Sequence, residues 1–281
     1  MIPETIKAQD VMQELGFVAT RAQLLEHLTR REITGALRQG HIVRLGRGRF
    51  GLRSAHQAAQ AAMRLSGTAS HLSAAQLHGW PIARAPARPW VTVPRSRNVP
   101  ASVREEMHVV FAPAVGRVTD PLRTVLDCAR KLPFDEALSV ADSALRARDV
   151  DKAVLVEAAA QARGPGSVQI RRVAESASGL SANSFESCLR AIALDVGLDV
   201  IAQHPIQLPG RLVHPDLVDV GRRLVLEADS YRHHRLDIRV FQQDLWRYTS
   251  LTVADWTVLR FGHAHVMSER DWVRACLRTY L

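Results

Sequence analysis

Apolar positions recur at helical spacing from Pro3 to Leu15, where Ile6, Val11, Met12 and Leu15 precede Gly16. That pattern predicts a helix with proline in its first turn. A second short helix is predicted over Thr20–His27, and a third over Arg30–Gln39, capped by Thr29 and stopped at Gly40. The period then changes, and residues 41–52 read as two short strands around Gly46-Arg47-Gly48. Three helices and a hairpin make a winged helix-turn-helix, whose third helix enters the major groove. Arg31, Thr34 and Arg38 are then candidate groove or phosphate contacts, with Arg47 and Arg49 on the wing. A small helical interaction module would share this periodicity but would need fewer arginines on a wing.

Residues 54–180 predict an α+β middle domain. Helices are expected over Ala58–Leu65, Leu72–His78, Arg123–Arg130, Phe134–Arg146 and Val150–Ala162, and strands over Trp90–Val93 and His108–Phe111. His71 and His78 read as capping or core histidines, because no neighbouring acid or cysteine completes a metal site. Arg163–Ser167 is a turn, and Ser176–Asn183 reads as a linker.

From residue 181 the elements run helix (Ser184–Val196), strands (near Val200–Leu208, Leu212–Val218 and Arg223–Ala228), long helix (Leu236–Ala254), strand (Trp256–Phe261) and closing helix (Ser268–Tyr280). This order predicts an α/β domain with a mixed sheet, with His263 and His265 in a loop after the last strand. The second and third strands flank a Gly221-Arg222 turn, so antiparallel pairing would bring Asp216 and Glu227 together at one edge. Paired carboxylates repel unless a divalent cation lies between them, and Mg²⁺ is commonly held by one or two carboxylates plus substrate phosphates. That is phosphodiester chemistry.

Charge sharpens the picture. The net charge of +9 is uneven: residues 1–53 carry nine basic and five acidic side chains, 54–180 carry sixteen and eleven, and 181–281 carry twelve of each. A basic front on a neutral, acid-centred back suggests that the front holds a polyanion while the back acts on it. An arginine-rich proteome is the plainer source of the excess, since the lysines are Lys7, Lys131 and Lys152. Only fifteen aromatic residues argue against a base-stacking surface for single strands and favour duplex DNA. Cys128, Cys188 and Cys276 are odd in number and sit among apolar residues, as buried thiols do. No run of eighteen apolar residues occurs, and Met-Ile-Pro-Glu-Thr is unlike a secretory signal, so a cytoplasmic protein away from membranes is expected.

Ser184-Phe-Glu-Ser-Cys-Leu-Arg190, His214-Pro-Asp-Leu-Val218, Leu226-Glu-Ala-Asp-Ser-Tyr-Arg-His-His234, Phe241-Gln-Gln-Asp-Leu-Trp-Arg247 and Trp256-Thr-Val-Leu-Arg-Phe261 together resemble the PD-(D/E)xK nuclease superfamily. Within it, residues 181–281 are similar to Vsr-like (very-short-patch-repair type) endonucleases. The resemblance implies a restriction-endonuclease-like α/β fold and Mg²⁺ or Mn²⁺ as cofactor. The superfamily's usual lysine is replaced by Asp229, and no lysine follows Lys152. Glu227-Ala228-Asp229 with His234 matches the repair-type subgroup, although Ser230 stands where glycine is usual. Nearer the front, Thr20-Arg-Ala-Gln-Leu24, Gly40-His-Ile-Val-Arg44, Gly48-Arg-Phe50, Ser70-His-Leu-Ser-Ala-Ala-Gln-Leu-His-Gly79 and Arg123-Thr-Val-Leu-Asp127 resemble AbiEi-type antitoxins, which bind promoter DNA and repress.

On this reading Asp216 and Glu227 hold the metal, and Glu186 reaches the metal or its water from the first helix. His234 acts as general acid, general base or water positioner in place of the lysine, and Asp229 is a third ligand or orients the histidine. Arg232, Arg235 and Arg247 neutralise the DNA backbone around the cut. Two rivals remain: a DNA-binding repressor or antitoxin with an idle nuclease fold, and a protein-interaction or RNA-directed role. A toxin partner and a homodimer stay open, since a palindromic target needs two copies.

Overall fold

Thr20 and Thr29 start helices by the same device. Each hydroxyl accepts the backbone N–H three residues on, and that residue's side chain, Gln23 or Glu32, accepts the threonine N–H in return. These boxes place α2 (Arg21–His27) and α3 (Arg30–Arg38) after α1 (Glu4–Glu14). Ile33 and Ala36 of α3 join Ala8, Val11, Met12, Leu24 and Leu28 in one core with Ile42 and Phe50. Strands β2 (Ile42–Gly46) and β3 (Arg49–Leu52) pair antiparallel, and β1 (Val18–Thr20) takes the other edge of β3. Three residues are too few to show an alternating pattern, so β1 is absent from the expectations above. The computed structural model describes residues 4–15, 17–46, 48–229 and 238–281.

The following stretch alternates helices and short strands: α4 (Arg53–Arg64), β4 (Thr68–Ala69), α5 (His71–His78), β5 (Trp90–Val93), α6 (Ala101–Glu106), β6 (His108–Phe111), α7 (Pro121–Lys131), α8 (Phe134–Arg146), α9 (Lys152–Ala160) and α10 (Ser167–Ser176). β5 lies between β4, antiparallel, and β6, parallel. Asp120 and Asp151 cap α7 and α9. α10 follows the Arg163–Ser167 turn. Gly166 there has φ +80°, and a Cβ would meet the Arg130 carbonyl at 2.9 Å, so only glycine fits. His71 is buried, its ring stacked 4.4 Å from Trp90, and His78 Nε2 lies 2.8 Å from the Thr119 carbonyl. Both are core histidines. Burial pushes His71 down to about 3, so it is neutral at physiological pH.

Residues 180–281 contain α11 (Ser184–Val196), β7 (Ile201–Ala202), β8 (Ile206–Leu208), β9 (Arg211–Val213), β10 (Leu217–Asp219), β11 (Leu224–Asp229), α12 (Ile238–Val253), β12 (Thr257–Gly262), α13 (His263–Ser268) and α14 (Arg270–Arg278). A mixed sheet of order β12-β11-β10-β7 has β11 parallel to β12 and antiparallel to β10, while β8 and β9 form a separate hairpin. Two expectations are corrected here. The strand expected over 212–218 is two strands, because Pro215 lacks the N–H to continue a ladder, and β9 and β10 pair with different partners. His263 and His265 lie in α13 rather than a loop, where His265 Nδ1 accepts the Gly262 N–H at 3.2 Å.

The chain is therefore a mixed α/β protein of more than one unit, dividing into Met1–Gly179 and Leu180–Leu281. Cys128 and Cys188 are buried, and none of the three cysteines is in a disulfide. Among the described residues no helix is long and apolar enough to cross a membrane.

A buried carboxylate pair as candidate functional site

The register of β10 on β11 opposes Leu217 to Leu226 and Val218 to Val225. One further step places Asp216 across from Glu227. The Asp216 carboxylate closes that step itself, Oδ2 accepting the Ala228 N–H at 2.8 Å and Oδ1 the Gln203 amide at 3.3 Å. Successive strand residues face opposite sides, so Asp216 and Val218 share a face with Val225 and Glu227. Val218 and Val225 pack with Leu251 of α12 on that face. Arg247 lies one helical turn before Leu251, and its guanidinium reaches the acids: Nη2 is 3.4 Å from Glu227 Oε1.

Glu227 is 2% exposed and sits on the central strand. Its Oε1 has no hydrogen-bond partner, because the ion pair to Arg247 lacks hydrogen-bond geometry. Burial first, and then the neighbouring Asp216 charge, push the Glu227 carboxyl up to about 8 against the pull of Arg247. Asp216 is also raised by burial, with the Ala228 N–H, Glu227 and Arg247 opposing. Two buried carboxyls raised in this way titrate as one unit, which favours a proton shared between them.

A second layer surrounds the pair. Arg247 Nη2 donates to Tyr248 Oη at 2.9 Å and lies 3.4 Å from Asp244. Burial, followed by the Glu227 charge, raises the Tyr248 phenol to about 12. Asp229, on the same face as Glu227, accepts from Arg260 Nε at 2.5 Å, and the Arg260 guanidinium stacks 4.1 Å over the Tyr248 ring. The sequence reading missed Tyr248, Arg260 and Gln203. One usable signal was register, since Arg260 stands directly opposite Glu227. It assigned Arg247 to the DNA backbone, whereas the guanidinium lies 3.4 Å from both Glu227 and Asp244.

The structure brings Asp216, Glu227 and Arg247 together and sets Asp229 beside them. Glu186, also buried, turns to its own helix start, accepting the Ala182 N–H at 2.7 Å and the Asn183 amide at 2.8 Å. Among the described residues no group of three or more His, Cys, Asp and Glu side chains is gathered as a metal site. His234, Arg232, Arg235 and Arg47 lie outside the described residues. Arg31, Thr34 and Arg38 are exposed on one face of α3, opposite buried Ile33 and Ala36, with the Thr34 hydroxyl donating to the Arg30 carbonyl at 2.8 Å. Arg49 stands at the start of β3.

Two carboxylates with one unsatisfied oxygen fit a hard divalent cation completed by water and phosphate oxygens, the usual setting of Mg²⁺.

No protein-family model matches the chain. Over 144 residues it is 29% identical to the uncharacterized proteins Rv2248 (strain H37Rv) and MT2308 (strain CDC 1551) of Mycobacterium tuberculosis, covering 50% of this chain and 53% of each relative. The chain thus spans about half the length of the curated relatives it matches. The crystal structure of the RV2827C protein from Mycobacterium tuberculosis aligns with a TM-score of 0.32 and 14% identity, covering 74% of this chain and 90% of that one. Likeness at this level carries no activity across.

Proposed function

We propose that residues 181–281 form a metal-dependent DNA endonuclease domain of the PD-(D/E)xK, Vsr-like type, delivered to duplex DNA by an N-terminal winged helix. The observation that carries this reading is the buried Asp216–Glu227 pair with its unsatisfied Oε1, an arrangement costly for a structural role and suited to a cation. Asp216 and Glu227 would hold Mg²⁺ or Mn²⁺, which when bound supplies charge neutralisation at the scissile phosphate and a more acidic water. Gln203 and the Ala228 N–H fix the Asp216 carboxylate, so its remaining lone pairs are pre-aimed. Glu227 would hold the metal as a carboxylate, so binding would release to solvent the proton shared by the pair. Asp229 stays neutralised by Arg260 at the end of β11. Arg31, Thr34 and Arg38, exposed together on α3, would meet the major groove.

One observation favours a second reading, a DNA-binding repressor or antitoxin with an idle nuclease fold: the Glu186 oxygens are taken up by Ala182 and Asn183, and no third carboxylate joins the pair among the described residues. Supercoiled plasmid incubated with wild type and Glu227→Ala in Mg²⁺, Mn²⁺ or EDTA separates the two. Metal-dependent nicking that vanishes in the variant is the expected result. No nicking in any metal, with tight binding to the protein's own promoter, would favour the repressor.

A further inference from the structure

Arg247, expected from the sequence only to neutralise the DNA backbone, has a setting against the acid pair that this general role does not explain. It lies on α12, 26% exposed at its side chain, and its charge is held from three sides by Glu227, Asp244 and Tyr248. These contacts all involve one nitrogen, Nη2. Its Nε is buried and has no hydrogen-bond partner, as is the case for Oε1 of Glu227, which Nη2 approaches to 3.4 Å. A buried guanidinium nitrogen without an acceptor is costly, and the planar fork of arginine is matched by two oxygens of a phosphate or carboxylate. The domain has no lysine, and this guanidinium lies 3.4 Å from Glu227 Oε1.

We propose, resting on the nuclease reading, that Arg247 is a phosphate-positioning residue: Asp244 and Tyr248 hold its guanidinium over Glu227, and its unpaired Nε edge takes the non-bridging oxygens of the phosphodiester that docks at the Asp216–Glu227 pair. Arg247 then serves two states. Without metal it offsets the negative charge of the pair. With metal and phosphate bound, Glu227 would be a metal ligand, and the guanidinium would be left to the phosphate. A surface arginine that merely steers DNA would change salt dependence alone. This one fixes the phosphate at one point, where a compact lysine cannot present two parallel N–H groups.

The test uses the full chain, with inorganic phosphate and Mn²⁺ as separate calorimetric probes on wild type, Arg247→Gln and Arg247→Lys. Arg247→Gln should bind Mn²⁺ at least as tightly as wild type, because a competing cation is gone. It should bind phosphate about ten- to a hundredfold more weakly, the size of lost charge-assisted hydrogen bonds, and Arg247→Lys should recover part of that loss. Phosphate affinity equal to wild type in both variants would overturn the proposal. So would loss of Mn²⁺ binding in Arg247→Lys alongside a collapsed melting transition, which would make Arg247 structural. If wild type binds no Mn²⁺, the metal reading fails on its own. The metal-free phosphate titrations then still decide Arg247, since a loss in Arg247→Gln supports the grip and unchanged affinity removes it.

Discussion

The two ends of the β10–β11 hairpin each bury an acid, and they treat it in opposite ways. At the turn end, Asp219 is 1% exposed and fully engaged: Oδ1 accepts the Arg222 N–H at 3.0 Å, and Oδ2 accepts the Asp199 N–H at 3.0 Å and Arg222 Nη1 at 3.1 Å. At the open end, Glu227 is equally buried, yet Oε1 accepts nothing and a second carboxylate stands opposite. Burial alone therefore does not mark a functional acid. What distinguishes the ends is whether the fold supplies donors. Asp219 ties the turn to the segment between α11 and β7, whereas Glu227 is left with an unsatisfied buried oxygen, which the proposed reading assigns to a ligand.

The largest effect should come from the open end. In Mg²⁺, Asp216→Asn and Glu227→Gln should each lower plasmid nicking by at least about a hundredfold, the loss expected when metal-borne stabilisation of several kcal/mol is removed. Measurable nicking at the wild-type rate in either would break the contrast. Next comes the turn end. Asp219→Ala leaves the part-buried N–H donors of Asp199 and Arg222 without their acceptor and should cost about 1–3 kcal/mol in urea unfolding, while leaving the Asp216–Glu227 pair chemically intact. A neutral Asp219→Ala would show that the two acids are not different in kind.

A smaller effect has the opposite sign. In EDTA at pH 8, Glu227→Gln should be more stable than wild type by about 1–2 kcal/mol. The folded-state pKa of Glu227 is raised to about 8 from 4.5, so its favourable contribution is complete below the unfolded value and is lost as pH rises toward 8. Glutamine mimics the protonated acid, so the advantage should shrink to nothing near pH 5. A gain that grew toward acid pH would refute the shared proton. Smallest of all, Asp244→Ala removes a partly exposed partner of Arg247 at 3.4 Å and should change stability by under about 1 kcal/mol.

Much of this contrast was legible in the sequence because it rests on local order. Pro215 before Asp216, a strand, a Gly221 turn and a strand ending in Glu227 are enough to set the two acids opposite each other. Thr29 likewise announced α3 as its cap, and Phe134 and Ser184 open helices where periodicity placed them. What escaped depends on tertiary placement. Arg247 carries no mark that its head turns to Glu227 rather than to solvent, and Tyr248 and Arg260 gain their roles only from α12 packing on the Val225 face and from the parallel register of β12. Glu186 shows the reverse. Its spacing suited a ligand, while Asn183 and Ala182 bring it to the helix start. α13 was hidden because two alternating histidines after a strand give no helical period.

The most direct test of the central claim is Mn²⁺ calorimetry on wild type, Glu227→Gln and Asp219→Asn at pH 7. The account predicts one saturable binding event with proton release in wild type, retained in Asp219→Asn and lost in Glu227→Gln. Mn²⁺ binding by Glu227→Gln as tight as wild type, or none by wild type, would contradict it.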